Sequence, residues 1–402
     1  MNVIQERLAA LRSKMQEHGI NYYVVPTADF HQSEYVGEHF KARKFITGFS
    51  GSAGVAVVGL DGAWLWVDGR YFLQAGEQLQ GTTVELMKMG EPGVPTLDAF
   101  INSNLKKGEK IGFDGRVVSM DEGQLYDEIA KKHEGCIEYS VDLIDEIWTD
   151  RPPLSEKPAF ELEVKYTGKT VAEKLADIRE KMVEAEADMH VVTTLDDICW
   201  TLNIRGDDID FFPLVLSYAL MDANEYHLYI DERKLSDEIK AHFEKDGVVL
   251  HPYNDIYEDI KYIPEDTKLM LDASKVNYAL FCNIPESVKK IDMMNPEMIF
   301  KNVKNHVELE NIRKAQIKDS IAHLRLMKWL KENVGKIEMT ELSVANKLDE
   351  FRAELGNFIR PSFEPISSYG AHAAIVHYAP SPETDIPVLP KGLHLTLSLI
   401  HI

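Results

Sequence analysis

Ile4, Leu8, Leu11 and Met15 recur at three- and four-residue intervals among charged residues, which predicts an amphipathic helix over 3–17. His18-Gly19 ends it. The run Tyr22-Tyr23-Val24-Val25, closed by Pro26, reads as a buried strand. Apolar runs at Val55–Val58 and Ala63–Val67 flank Gly59-Leu60-Asp61-Gly62 and predict a hairpin. Further strands at 84–87 and 110–113, with helices at 96–103 and 122–132, continue the alternation that marks an α/β layer domain. Arg151-Pro152-Pro153 and Lys157-Pro158 read as a linker.

The glycine-rich stretch Thr47–Gly54 is not a phosphate loop. It contains no Gly-Lys-Ser/Thr, and it precedes a strand where a phosphate loop opens a helix. Its glycines suit a closely packed backbone. Asp68-Gly69-Arg70 then leads into a helix. His31, Glu34, Glu38 and His39 match no metal-ligand spacing and read as a solvated face.

The pattern then repeats. Leu8-Ala9, Arg12, Lys14-Met15, Val24-Val25, Thr27 and Asp29 return as Leu175-Ala176, Arg179, Lys181-Met182, Val191-Val192, Thr194 and Asp196. The offset is constant at 167 (175 minus 8, 196 minus 29), so a helix and its following strand recur without a gap. Thr170-Val171-Ala172-Glu173 has capping-box form at the second helix start. Tyr226–Ile230 before Asp231 echoes Ala63–Val67 before Asp68. Two related α/β domains are therefore expected, over 1–150 and 151–302. In the second, Trp200–Gly206 replaces the glycine run, and Asp207, Asp208 and Asp210 lack calcium-loop spacing and read as a solvated turn.

Near residue 303 the pattern changes. Asn305-His306-Val307-Glu308 can cap a long helix reaching about Lys331, with Val307, Ile312, Ala315, Leu324 and Leu330 among its apolar positions. A second helix is expected over about 340–355. The stretch 362–380 reads as strand, turn and strand, with Ser368-Tyr369-Gly370 turning and Ala373–Tyr378 as the second strand. His377 ends that strand. An imidazole there can exchange a proton near neutral pH, or it can be a hydrogen-bonded loop histidine.

A net charge of −22 on 402 residues argues against nucleic acid or an anionic membrane as partner. Cys136, Cys199 and Cys282 are odd in number and widely spaced, which fits neither a disulfide framework nor structural zinc and suits a reducing compartment. The N-terminus has no apolar signal core, and no apolar run approaches membrane-span length. A cytoplasmic location is expected.

Thr47-Gly48-Phe49-Ser50-Gly51-Ser52-Ala53-Gly54 and Asp68-Gly69-Arg70-Tyr71 resemble the N-terminal domain of the aminopeptidase P and creatinase families, and Trp200–Gly206 resembles the second domain. Ser368-Tyr369-Gly370 followed by Ala374-Ile375-Val376-His377-Tyr378-Ala379-Pro380 resembles the opening of the catalytic domain of Xaa-Pro aminopeptidases. The resemblance implies an α/β chain of two tandem creatinase-type N-terminal domains, followed by an incomplete α+β pita-bread catalytic domain at 303–396. It implies hydrolysis of the N-terminal residue from peptides with proline second, through a hydroxide bridging two metal ions. Manganese suits such a carboxylate-rich site better than zinc. It implies homodimers. It makes His377 the residue that assists substrate binding and proton transfer.

Arg70 is either a structural ion-pair partner or a residue facing an active site across a subunit boundary. Gln316 stands where relatives usually carry His. The family's metal ligands would follow Leu395, so this chain supplies no assigned metal ligand and is expected to be inactive alone. Residues 397–402, Leu-Ser-Leu-Ile-His-Ile, break the family pattern and read as a non-native tail; one frame of a sequencing-library adapter encodes that hexapeptide. Two other readings stay open: a non-catalytic binding or regulatory module, and a creatinase-like hydrolase.

Overall fold

The computed structural model describes residues 2–401. It divides into two compact units. One comprises residues up to Val164 with Lys169–Ile209 and Pro213–Val303; the other comprises Lys165–Gly168, Asp210–Phe212 and the chain from Lys304 on.

The first unit contains both copies of the repeat. Helix α1 (Val3–Glu17) starts at Asn2, whose side chain accepts from the Ile4 amide 3.1 Å away, and buries Ile4, Leu8, Leu11 and Met15. Strands β1 (Tyr22–Pro26), β2 (Val55–Gly59), β3 (Ala63–Val67), β4 (Glu85–Lys88), β5 (Lys110–Gly112) and β6 (Cys136–Glu138) form one sheet in the order β4-β3-β2-β1-β5-β6. Strands β7 (Met189–Val192), β8 (Ser217–Met221), β9 (Tyr226–Ile230), β10 (Val248–His251), β11 (Lys268–Leu271) and β12 (Lys289–Asp292) form the second, in the order β10-β9-β8-β7-β11-β12. Strand for strand the two orders are the same, and so are the pairing directions: the first strand is antiparallel to the second and parallel to the fifth.

Both faces of the first sheet are covered. Tyr23, Val25, Ala56, Val58, Leu65 and Val67 pack with α1 on one side, while Val24, Val57, Trp66 and Ile111 pack with Ile101, Tyr126 and Ile129 on the other. This explains why its strands read as continuous apolar runs and not as alternations. Buried Arg43, from the short helix Ala42–Thr47 just before the glycine-rich stretch, donates to the Phe49 and Gly51 carbonyls, so the stretch wraps a guanidinium.

The two copies meet through equivalent residues. Ser119 and Asn277 each cap the helix that follows the fifth strand of their own sheet, and they pair with each other as an antiparallel bridge. The Met120 amide donates to the Val276 carbonyl and the Tyr278 amide to the Val118 carbonyl, both at 2.8 Å. A Cβ on Gly123 would lie 2.1 Å from the Tyr278 ring, so a side chain at 123 would push the copies apart.

The same junction corrects two expectations. His31 is not on a solvated face: it is buried, with Nδ1 2.8 Å from the Thr193 carbonyl and Nε2 2.6 Å from the Tyr253 hydroxyl. A carbonyl only accepts, so Nδ1 carries the proton and Nε2 accepts from Tyr253. Asp208 is not in a solvated turn: it is buried against Lys234 at 2.5 Å and accepts from the Leu216 amide at 2.7 Å. In both cases the group is covered by chain distant in sequence, which no local pattern reports.

The second unit is built on helices α2 (His306–Asn333) and α3 (Glu341–Glu354). Asn305 and Glu308 form the expected capping box. Its core is small: Ala322, Leu326, Met339, Val344, Leu348 and Val388. A buried pair, Arg352 Nε to Asp319 Oδ1 at 2.7 Å, ties the two helices together. Ile317 and Leu324 on α2 stay 62% and 64% exposed. Strands β13 (Ile366–Tyr369) and β14 (His394–Leu397) pair antiparallel, and Ile400–His401 pairs with Arg360–Pro361. The strand expected at Ala373–Tyr378 is absent. Gly370–Ala374 is a 3-10 turn, and Val376-His377 form a further turn, because His372 and Tyr378 are both drawn onto one buried carboxylate.

Two outcomes follow. Burial lowers the His31 pKa from 6.5 to about 4, so between those values the unfolded chain binds a proton that the folded chain does not. Stability from the neutral ring is complete above about pH 6.5 and falls, by about 3 kcal/mol in all, as pH drops towards 4. His31→Gln should shallow the slope of unfolding free energy against pH in that window, measured by urea titration. Separately, amides in 306–401 should exchange with deuterium well before those of β1 and β7, since the second unit buries far fewer apolar side chains.

Candidate functional site

Glu341 opens α3, with Thr340 as its N-cap. An anion at a helix N-terminus is favoured by the unpaired amides and the aligned peptide dipoles. The side chain is fully buried, and its two oxygens take three donors: the Tyr369 amide, His372 Nδ1 at 3.0 and 3.1 Å, and the Tyr378 hydroxyl at 2.8 Å. With Nδ1 protonated, the lone pair of a neutral His372 lies on Nε2. The His372 and Tyr378 rings lie against each other, centroids 4.3 Å apart. Burial is the first cause that raises the Tyr378 pKa to about 12, so the phenol stays a donor.

His372 and Tyr378 bracket the turn at 375–377. That turn holds the histidine singled out in the sequence: His377 is exposed, at φ +59, and the Tyr378 amide closes the turn onto the Ile375 carbonyl at 3.2 Å. A histidine tolerates the left-handed region better than a branched residue. One carboxylate therefore pins both ends of the loop that presents His377. Behind it, Ser367 Oγ lies 2.7 Å from the Glu341 carbonyl and 2.9 Å from His394 Nε2. Burial lowers the His394 pKa.

The sequence reading found His377 and missed Glu341, His372, Tyr378 and His394. A sequence signal existed for Glu341, an acidic residue in the first turn of a capped helix. Nothing local ties it to residues 31 and 37 positions downstream. Arg70 pairs with Asp68 at 2.8 Å and lies over the Tyr71 ring.

The cluster does not suit a metal ion. Both Glu341 oxygens and His372 Nδ1 are committed to one another and to Tyr369 and Tyr378. Among the described residues no group of three or more His, Cys, Asp or Glu side chains is placed to hold one. What the arrangement can do is hold an exposed imidazole on a fixed turn beside a buried proton-binding network.

Comparison with known proteins bears on both units. Residues 7–145 and 150–308 each match a family model described as "Creatinase/Prolidase N-terminal domain", and residues 310–398 match "Metallopeptidase family M24". Aminopeptidase P1 of Lotus japonicus is 33% identical over 98% of this chain and 69% of its own length. Xaa-Pro aminopeptidase 1 of Dictyostelium discoideum is 36% identical over 98% of this chain and 64% of its own. A probable Xaa-Pro aminopeptidase P of Neurospora crassa is 36% identical over 97% of this chain and 59% of its own. The chain thus spans about three fifths to two thirds of these relatives. The crystal structure of X-prolyl aminopeptidase from Caenorhabditis elegans, described as a cytosolic enzyme with a di-nuclear active site, superposes with a TM-score of 0.95 at 33% identity, over 100% of this chain and 68% of that one. Two creatinase-type α/β domains followed by an M24 segment, with identity above 30% across nearly the whole chain, place this protein in the Xaa-Pro aminopeptidase (aminopeptidase P) family.

Proposed function

We propose that this chain is part of a metallopeptidase that removes the N-terminal residue from peptides with proline in second position. The observation that carries the reading is the 33–36% identity to Xaa-Pro aminopeptidases over 97–98% of the chain. Creatinase-like chemistry and a purely binding role have no comparable support. The reading includes division of the chain at about residues 150 and 302, cytoplasmic residence and a homodimer. It also includes a two-metal centre, with manganese as the ion. Among the described residues no group of three or more His, Cys, Asp or Glu side chains is placed to hold it.

In this reading His377 binds the peptide and passes a proton to or from it. Glu341 is a positioning residue. It acts through His372 and Tyr378, holding the turn so that the His377 ring is presented in one orientation. A ring fixed in advance loses less entropy when substrate arrives.

The specificity test is direct. The full-length enzyme should cleave an Xaa-Pro-Xaa tripeptide about 10- to 200-fold faster in kcat/KM than its Xaa-Ala-Xaa analogue; equal rates would sink the assignment. In that enzyme His377→Ala should lower kcat by roughly 10²- to 10⁴-fold with metal content unchanged, and loss of metal would make His377 a ligand instead. Glu341→Ala leaves buried donors without an acceptor. It should destabilise the second unit by about 2–4 kcal/mol, read as faster amide exchange across 366–378.

A further inference from the structure

We propose that His190 and Glu297 form a proton-held latch, which fastens the last helix of the first unit to the second sheet and slackens as pH rises. His190 lies on β7, and Glu297 lies in the first turn of the helix Pro296–Asn302. Past Val303 the chain passes into the second unit, so this helix fixes the point from which the chain leaves the first. Both side chains are buried. His190 Nδ1 lies 3.1 Å from the Met270 carbonyl on β11, and Nε2 lies 3.3 Å from Glu297 Oε2. A carbonyl and a carboxylate only accept, so both ring nitrogens carry protons and the ring is an imidazolium. The other carboxylate oxygen, Oε1, meets no donor among the described residues. Loss of the ring's extra proton therefore sets a bare nitrogen against either the Met270 carbonyl or the buried carboxylate, and a buried charge left without its partner is strongly destabilising.

The neighbouring groups do not replace that proton. Asp197, on the helix Leu195–Thr201, accepts from Asn295 Nδ2 at 3.0 Å, from the Thr194 hydroxyl and from Lys301 Nζ at 2.6 Å. Lys301 also reaches Asp196, so its charge answers those two aspartates. Burial above all holds the Tyr226 phenol well above its ordinary range and the Cys199 thiol at about 11, so neither titrates near neutral pH. Burial by itself would lower the His190 pKa. The Glu297 charge, the hydrogen bonds to Glu297 and Met270 and the Asp197 charge outweigh it, and the pKa lies above the ordinary 6.5.

The first copy supplies the control. Position 190 less the repeat offset of 167 is Tyr23. Its hydroxyl does the same fastening, donating to the Val141 carbonyl at 3.2 Å and accepting from the Leu143 amide at 3.0 Å. Those residues follow β6, as Glu297 follows β12. Burial raises the Tyr23 pKa well above its ordinary value, so this fastening ignores pH. The shared frame therefore does not require a charge at this position, and the second copy has one. The folded second copy keeps a proton that the unfolded chain releases above pH 6.5. The latch is complete below that pH and weakens as pH rises from there towards the folded-state pKa. One linked proton raises the opening equilibrium by up to about tenfold per pH unit in that window.

Nitrogen resonances of the 402-residue chain should show both His190 ring nitrogens protonated at pH 6.5. Above that pH, amides of 297–302 should exchange with deuterium faster by up to about tenfold per pH unit beyond the intrinsic base-catalysed rise. Glu297→Gln should leave a singly protonated ring and remove the excess. His190→Tyr, which copies position 23, should remove the excess as well. The proposal fails if the wild-type ring carries one proton at pH 6.5, if wild type shows no excess, or if Glu297→Gln keeps it. None of these readouts needs peptide turnover, so they stand or fall apart from the peptidase assignment.

Discussion

A sheet covered on both faces can keep a polar side chain along its strands only where it finds a partner, as buried His190 does at Met270 and Glu297, and that constraint shapes the first unit. Tyr23 and Val25 look one way and Val24 the other, all buried. Elsewhere charge is displaced to the strand ends. Asp114, just past β5, is held by Arg116 with two bonds of 3.0 Å. Asp142, past β6, takes Arg151 at 2.6 Å. In the second copy Asp197 lies past β7 and is reached by Lys301 at 2.6 Å. These carboxylates are not adornments of a solvated rim. Each is covered and therefore each needs a partner, since an unpaired buried charge costs several kcal/mol.

The second unit meets the same constraint with less apolar material. Its six-residue core is supplemented by two buried charges that act as nodes, Arg352 and Glu341. Arg352 joins Asp319 on one helix and Ser398 near the chain end. Glu341 joins a helix start to a turn. Directional bonds of this kind fix geometry more narrowly than oily contacts do, at the cost of desolvation. A loop that must present one ring in one place suits that trade.

Legibility followed the range of the interactions. Helix 3–17 could be read to its ends, because its apolar spacing and its chain breakers lie within the helix itself. The duplication was legible because 167 positions separate whole patterns, and the matching strand orders agree with it. His31 and Asp208 were misread because their partners, Tyr253 and Lys234, belong to other elements. The segment at 373–378 is apolar enough for a strand, yet its conformation is decided by side chains gripping Glu341. Periodicity carries no trace of such a grip.

The bridge between Ser119 and Asn277 has a consequence beyond packing. Equivalent residues of the two copies touch each other, and the amide of each side answers the carbonyl of the other. That reciprocity is what a two-fold axis produces between identical chains. Here it runs through a single polypeptide. A reciprocal contact of this kind needs no covalent link: two separate copies of one domain could form the same bridge. The copies differ on that shared frame: one carries a glycine run against Arg43, the other Trp200–Gly206 in its place, and the strand order is the same in both.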